Sequence, residues 1–136
     1  MNEKTIFEKV ISDELPHYKV YEDEDTYAFL DAFPSVYGHT LVVTKKPYKN
    51  IYEIPADLAG KFFQTVQKVS TAIKKAVEAE GINIVMNNDP AAGQIVFHAH
   101  IHILPRFEND GGYHSKHLKY PEGKAQEIAD KIIANL

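Results

Sequence analysis

The clearest pattern along the chain is a helical one that begins at Pro55, runs to about Glu80 and is followed by Gly81. Apolar residues recur in it at spacings of three and four, which places them on one face of the helix. These residues are Leu58, Phe62, Val66, Val69, Ile73 and Val77. Because a helix with one apolar face must bury that face, we expect this helix to pack against a sheet.

Five segments have the alternation or the β-branched content that is typical of strands. They are 18–22, 26–31, 39–45, 82–87 and 96–106, with short helices predicted at 5–11 and about 123–135. Strands grouped around one long helix, rather than alternating with helices, predict an α+β fold in which an antiparallel sheet of about five strands packs against that helix. We expect a single domain over residues 1–136.

Composition narrows the classes of function. The chain is 44 % hydrophobic and 25 % charged, which is ordinary for a globular protein, and its net charge of −4 disfavours binding to nucleic-acid polymers. The absence of cysteine excludes a disulfide framework and a thiolate metal site. No apolar run approaches the ~20 residues that span a bilayer, and the first residues lack a signal-peptide pattern. We therefore expect a cytoplasmic protein without membrane association.

Three histidines occupy alternate positions of the last predicted strand: His98, His100 and His102. Since successive side chains of a strand point to opposite faces, the three imidazoles should share one face, which we expect to open on a cleft or on solvent. Such a row can supply a nucleophile, a proton carrier and a charge stabiliser. It can equally bind a metal ion, because imidazole is a common metal ligand, and the row alone leaves both interpretations open.

The segment before this strand, from Asn87 to Gln94, combines amide side chains with Pro90 and Gly93. A loop of this kind can direct backbone N–H groups at an anion, although it can also be a plain connection between strands. A second polar loop, at 110–123, contains Tyr113, His114 and His117, which we expect to be solvated.

Four other residues have two interpretations each. Asp31 ends a predicted strand, where a carboxylate can accept the hydroxyls of a ribose or cap a turn. Phe7 and Phe29 can stack on a planar base or belong to the core. His39 can be a ligand or a residue that is hydrogen-bonded within a turn.

Together these residues resemble the histidine triad family of nucleotide hydrolases and transferases. The family signature, His-x-His-x-His-x-x with apolar x, is matched by His98-Ala99-His100-Ile101-His102-Ile103-Leu104. The resemblance extends over nearly the whole chain, through the segments 5–10, 28–31, 38–43 and 92–94. It implies an α+β homodimer that binds purine nucleotides.

The resemblance also implies a mechanism. His100 would attack the α-phosphorus of a nucleoside phosphoramidate, nucleotidyl ester or dinucleoside polyphosphate, and water would hydrolyse the covalent nucleotidyl-imidazole. The backbone carbonyl of His98 would hold His100, His102 would donate to the phosphate oxygens, and Asp31 would bind the ribose. The other nucleotide-binding residues that it implies are Ile6, Phe7, Phe29, Leu41, Asn87, Gly93, Gln94, Ile95 and Val96. Asn87 is similar to the asparagine of the phosphoramidase branch.

The chain departs from the family pattern at two places. Many bacterial members have a Cys-x-x-Cys pair that forms a zinc site with histidines matching His39 and His98; here Thr5 and Glu8 stand at the cysteine positions, so we expect no structural zinc and no cofactor. Ile95 stands where a serine or threonine is common, which removes a hydroxyl from the leaving-group side. A purine-nucleotide-binding regulatory module with little catalysis therefore remains an alternative to an enzyme.

Overall fold

The computed structural model describes residues 3–112 and 117–136. It contains three α-helices and five strands within these residues: α1 (Ile6–Ile11), β1 (Lys19–Glu22), β2 (Thr26–Leu30), β3 (Thr40–Thr44), α2 (Ala56–Ala76), β4 (Gly81–Val85), β5 (His100–Arg106) and α3 (Lys124–Ala134). The strands form one antiparallel sheet in the order β1-β2-β3-β5-β4. The predicted α+β fold is confirmed. Tyr113 and His114 lie outside the described residues.

The main core lies between one face of the sheet and the helices α2 and α3. The predicted apolar face of α2 is buried there at Phe62, Val66, Val69 and Ile73. The helix ends at Ala76, four residues before the predicted end, because Glu78 adopts a left-handed φ of 54°. The amides of Glu78 and Ala79 then donate to the carbonyls of Lys75 and Lys74, which is a Schellman ending built without glycine. None of the helices in the described parts of the chain has the length and apolar character needed to cross a membrane.

The opposite face of the sheet carries the histidines and a second, smaller core. Strand pairing places Leu41 opposite both Phe29 and His102, so these side chains share that face. Helix α1 covers part of it, and its Phe7 and Val10 are buried against Phe29 and Leu41. The expectation of a histidine face that opens on a cleft or solvent is therefore wrong for the part beneath α1.

The segment before β5 also differs from the prediction. The strand begins at His100 rather than near residue 96, because the amide of Ala99 donates to the carbonyl oxygen of Tyr48 at 2.7 Å instead of entering the sheet ladder. His98 thus precedes the strand. The other predicted strand bounds lie within two residues of the observed ones, and those at Glu22, Thr26 and Arg106 match them.

Candidate active site

His100 is held by the main chain of the same segment. Its Nδ1 atom lies 2.7 Å from the carbonyl oxygen of His98. Because a carbonyl oxygen only accepts, Nδ1 must carry the hydrogen, and in the neutral ring Nε2 has a lone pair. Burial lowers the pKa of His100 below its usual value, with the ring 7 % exposed, so the ring is neutral near pH 7. The structure therefore presents a neutral imidazole with one unprotonated nitrogen.

Both ring nitrogens of His98 are occupied within the protein. Nε2 lies 2.6 Å from the carbonyl oxygen of Thr44 and therefore carries the hydrogen, while Nδ1 lies 2.6 Å from the hydroxyl of Thr5 and accepts from it. Burial lowers the pKa of the fully buried His98. Since neither nitrogen of His98 is available to an ion, this geometry argues against a metal site built from all three histidines of the row.

The protonation of His102 is set by His39. The backbone amide of Ser35 donates to Nδ1 of His39 at 3.0 Å, so the hydrogen of the neutral His39 ring is on Nε2. That Nε2 lies 2.9 Å from Nδ1 of His102 and donates to it, which leaves the hydrogen of His102 on its own Nε2. Burial lowers the pKa of both rings to about 4. His102 is thus a neutral hydrogen-bond donor.

Asp31, His39 and His102 each offer one potential ligand atom, and these atoms lie within 4.8 Å of one another. The Nε2 of His39 is protonated in the chain of hydrogen bonds just described, so it has no lone pair for an ion. The set therefore fits a hydrogen-bond network better than a metal centre. His39 also contacts His102 rather than His98, so the two histidines that a family zinc site would combine are not paired here.

The carboxylate of Asp31 caps a turn with one oxygen and places the other beside His39. The Oδ1 atom accepts the amide hydrogen of Phe33 at 2.9 Å, which caps the turn after β2. The Oδ2 atom lies 3.6 Å from Nε2 of His39 and can accept a ligand hydroxyl. Burial raises the pKa of Asp31, while the hydrogen bond from the amide of Phe33 acts in the opposite direction.

The predicted base-binding residues surround the nucleophile candidate on the α1 side. The ring of Phe7 makes edge-to-face contacts with Phe29, His98 and His100, at centroid distances of 5.7, 5.6 and 4.9 Å. Leu41 is buried with them and Val96 packs against the same cluster. Ile6 is 51 % exposed beside Phe7, so it is the residue of this group with the most surface to offer a ligand.

The buried Gln94 holds the loop that precedes the histidines. Its Oε1 accepts from the amide of Asp89 and from Asn50, at 2.8 and 3.3 Å. Its Nε2 donates to the carbonyl oxygens of Lys49 and Val96, at 2.7 and 3.0 Å. The side chain has no donor left for a ligand, and its backbone amide donates to Asp89. Gln94 therefore shapes the loop, and its predicted contact with a nucleotide is limited to main-chain atoms.

The same loop presents two consecutive amides. Within the described residues, the N–H groups of Ile95 and Val96 have no acceptor. Gly93, at φ 95°, turns the chain so that a side chain added there would meet Asn87 at 3.9 Å. The amide side chain of Asn87 also lacks a hydrogen-bond partner in the described part of the chain, so this region combines donors suited to an anion.

Comparison with known proteins gives the family of the chain. Residues 12–109 match the family model of the HIT domain. This chain belongs to the HIT, or histidine triad, family. The resemblance of its His98–Leu104 motif to that family is thereby confirmed, and the family includes hydrolases.

Two curated relatives and one solved structure illustrate the likeness. The adenylylsulfatase HINT3 of Arabidopsis thaliana is 36 % identical over 129 residues, which are 95 % of this chain and 66 % of that protein. The adenosine 5′-monophosphoramidase HNT1 of Candida albicans is 33 % identical over 111 residues, which are 79 % of this chain and 73 % of that protein. The crystal structure of a Hit-like protein from Bartonella henselae has a TM-score of 0.91 and 38 % identity, covering 100 % of this chain and 98 % of its own.

Proposed function

We propose that this HIT protein is a nucleotide-binding hydrolase that cleaves purine nucleoside phosphoramidates, or related nucleotidyl esters and dinucleoside polyphosphates, at the α-phosphate. The reaction proceeds through a covalent nucleotidyl intermediate on His100. The observation that carries this proposal is the 2.7 Å hydrogen bond from Nδ1 of His100 to the carbonyl oxygen of His98, because it reserves the lone pair of Nε2 for a substrate.

The reaction has two displacements at phosphorus. In the first, the Nε2 lone pair of His100 forms a bond to the α-phosphorus, and the leaving group departs with the electron pair of its own bond and takes up a proton from water. In the second, water attacks phosphorus, the P–N bond breaks, and its electron pair returns to Nε2 as the nucleoside monophosphate is released. The proton that the attacking water loses neutralises the hydroxide formed when the leaving group was protonated, so the two steps together balance. The His98 carbonyl stabilises the positive charge that the His100 ring carries between the two steps.

Fixed donors around His100 stabilise the negative charge that grows on the non-bridging oxygens. His102 offers Nε2–H, since His39 occupies its Nδ1. The amides of Ile95 and Val96 are two further donors. Groups that are already oriented before the reaction lower the barrier without reorganising during it.

Three features support the proposed substrate class. The names of the Arabidopsis and Candida relatives denote an adenylyl and an adenosine 5′-monophosphoryl substrate. Asn87 matches the phosphoramidase branch in the family resemblance, and its amide lies beside Gly93. The Oδ2 atom of Asp31 lies beside His39 and can accept a hydrogen bond from a ribose hydroxyl.

The direct test is turnover of adenosine 5′-phosphoramidate by the wild type and by His100→Asn, with binding of AMP measured by calorimetry. We expect the substitution to lower kcat by roughly 10³-fold while AMP binding stays within a few fold, because a nucleophile acts in the chemical step. Unchanged turnover in His100→Asn would contradict the proposal. Wild-type activity that disappears with a chelator and returns with a divalent ion would favour a metallohydrolase instead.

A regulatory nucleotide-binding module is the second candidate, and the observation in its favour is Ile95. This side chain is 85 % exposed and has no polar atom, at a position where the family resemblance implies a serine or threonine hydroxyl. A leaving group must then be protonated by water, which slows its departure. Tight purine-nucleotide binding by the wild type, with no product from any of the three substrate classes, would select this function.

We propose that the protein is a homodimer. Strand β4 is an edge of the sheet, where Ile84 is 44 % exposed, and the neighbouring helix α2 exposes 62 % of Phe63. An unpaired edge next to exposed apolar side chains favours association with a second copy. Sedimentation velocity should give a dimer for the wild type and a monomer for Ile84→Glu; a monomeric wild type at micromolar concentration would contradict this proposal.

A further inference from the structure

Thr5 joins helix α1 to the histidine row. It is the N-cap of α1, where its hydroxyl oxygen accepts the amide hydrogen of Glu8 at 3.0 Å and its own amide donates to the Glu8 carboxylate at 2.9 Å. The same hydroxyl lies 2.6 Å from Nδ1 of His98, which is 93 residues away in sequence. Thr5 therefore has a contact that the capping of a short helix does not require.

The direction of this contact follows from the other end of the His98 ring. The carbonyl oxygen of Thr44 can only accept, so Nε2 of His98 donates to it and Nδ1 has the lone pair. The Thr5 hydroxyl must then donate to Nδ1, while its oxygen still accepts from Glu8. Each hydrogen in this series of hydrogen bonds therefore has a single position. The His98 ring is held at both nitrogens and is not exposed to solvent.

The orientation of the His98 ring matters because the carbonyl oxygen of the same residue accepts the Nδ1 hydrogen of His100. Without the Thr5 hydroxyl, Nδ1 of His98 would be a buried acceptor with no donor. The ring can then rotate towards another donor, or it can take up a proton, which burial and the neighbouring His100 ring oppose and the nearby carboxylate of Glu8 favours. A charged or rotated His98 would then move the carbonyl that orients His100.

We propose that Thr5 is a positioning residue: its hydroxyl keeps His98 neutral with the hydrogen on Nε2, and through the His98 carbonyl it keeps Nε2 of His100 directed at the substrate. This inference rests on the proposed function for its catalytic consequence, although the effect on the His98 ring does not depend on turnover. Phe7, two residues along α1, packs on both histidine rings, so α1 shapes the site through a hydrogen bond and through packing.

The test compares three substitutions of Thr5 that separate capping from donation. Thr5→Ser keeps both, Thr5→Asp keeps an oxygen that can cap the helix but has no hydrogen to donate when ionised, and Thr5→Val loses both. Thr71→Val is the matched control, since Thr71 is an exposed threonine of α2 whose hydroxyl, among the described residues, donates only to the carbonyl of Gln67. The measurements are the ¹⁵N chemical shifts of the histidine rings at pH 7 and the kinetics with adenosine 5′-phosphoramidate.

The Thr44 carbonyl keeps a hydrogen on Nε2 of His98 in every variant, so the expected change is at Nδ1. We expect Thr5→Asp to shift the His98 signals towards the doubly protonated ring and Thr5→Val to change the Nδ1 shift through the lost hydrogen bond, and both to lower kcat about tenfold with KM within twofold. Thr5→Ser and Thr71→Val should match the wild type in both measurements. A Thr5→Asp protein that is folded and keeps both the wild-type His98 shifts and the wild-type kcat would overturn the inference, whether or not Thr5→Val folds. If the wild type has no turnover but the His98 shifts respond as expected, the proposed function fails while the control of His98 by Thr5 stands.

Discussion

His39 donates a hydrogen bond from its Nε2 to Nδ1 of His102 across 2.9 Å, and this contact determines which nitrogen of His102 carries the hydrogen. The amide of Ser35 fixes His39 in turn, through Nδ1. The Ser35 amide fixes the hydrogen of His39 on Nε2, and the hydrogen bond from His39 then leaves the hydrogen of His102 on its own Nε2. The donor on His102 is therefore in place before a ligand binds. A preformed donor of this kind is what stabilisation of a charged transition state requires.

The first prediction concerns this pair. Replacing His39 by Leu removes the donor to His102, so the His102 hydrogen is no longer held on Nε2, and we expect kcat to fall roughly tenfold to 100-fold with a small change in KM. His39→Gln keeps an amide N–H that can reach Nδ1 of His102, and it should recover part of the loss. In a double-mutant cycle with His102→Asn, the effect of His39→Leu should largely disappear. Additive losses would show that His39 acts independently of His102.

The second prediction separates the two interpretations of Asp31. Asp31→Asn keeps an oxygen for the amide of Phe33, so the turn should remain intact. It removes the charge that strengthens hydrogen bonds from ribose hydroxyls, so we expect KM for a ribonucleoside phosphoramidate to rise about tenfold. The 2′,3′-dideoxy analogue should be turned over equally by both proteins. A similar KM increase for both substrates would assign Asp31 a structural role only.

The third prediction is a pH dependence of activity. Burial holds the pKa of His100 below its usual 6.5, so the unprotonated nucleophile persists at mildly acidic pH. We expect kcat/KM to decline only below pH 6.5, rather than to be half lost there. A pH–rate profile between pH 4 and 8 measures this, and an acid limb centred at or above 6.5 would contradict the assignment of His100 as a buried neutral base.

The fourth prediction is a pH dependence of stability. His39 and His102 titrate near 4 in the folded protein but near 6.5 when unfolded, so between these values the unfolded chain binds more protons. The free energy of unfolding should therefore be highest above pH 6.5 and fall, by on the order of a few kcal/mol, as the pH is lowered towards 4. Urea unfolding at several pH values tests this. In His39→Leu the slope should be smaller, since one of the two groups is absent.

The fifth prediction concerns the loop that Gln94 holds. Gln94→Ala leaves the amide of Asp89 and the carbonyls of Lys49 and Val96 without their partner, so we expect unfolding free energy to fall by about 2 kcal/mol. Gln126→Ala is the matched control, because Gln126 is exposed and its side chain, within the described part of the protein, bonds only to Asp130. Its effect should stay within about 0.5 kcal/mol. Equal effects of the two substitutions would contradict the role assigned to Gln94.

Periodicity predicted the fold class and which residues lie on each face of the sheet. The spacing of Phe62, Val66, Val69 and Ile73 on α2 and the alternation of Ile101 and Ile103 against the histidines gave the two faces of the sheet. The end of α2 could not be read in this way, because Glu78 takes a left-handed conformation that sequence rules reserve for glycine. The start of β5 was also missed, since it depends on the distant carbonyl of Tyr48.

The histidine motif pointed to the site, but the state of each ring depends on partners that are remote in sequence. Thr5 and Thr44 determine the hydrogen of His98, and Ser35 acts on His102 through His39. No local pattern gives these pairings, because they arise when α1 and the turn before β3 pack on the histidine face. For the same reason the sequence could not distinguish whether His39 is a ligand or a residue that is hydrogen-bonded within a turn.

The central claim is that Nε2 of His100 forms a bond to phosphorus. The most direct measurement is intact-protein mass spectrometry of the wild type. The reaction with adenosine 5′-phosphoramidate is quenched without acid within the first turnover, and peptide mapping then locates any added group. We expect a transient species that is heavier by one adenylyl group, with the group on His100, and no such species in His100→Asn. The measurement is repeated at low water activity, which slows the hydrolysis step. An active wild type that still accumulates no adduct would contradict the account, and so would an adduct on another residue.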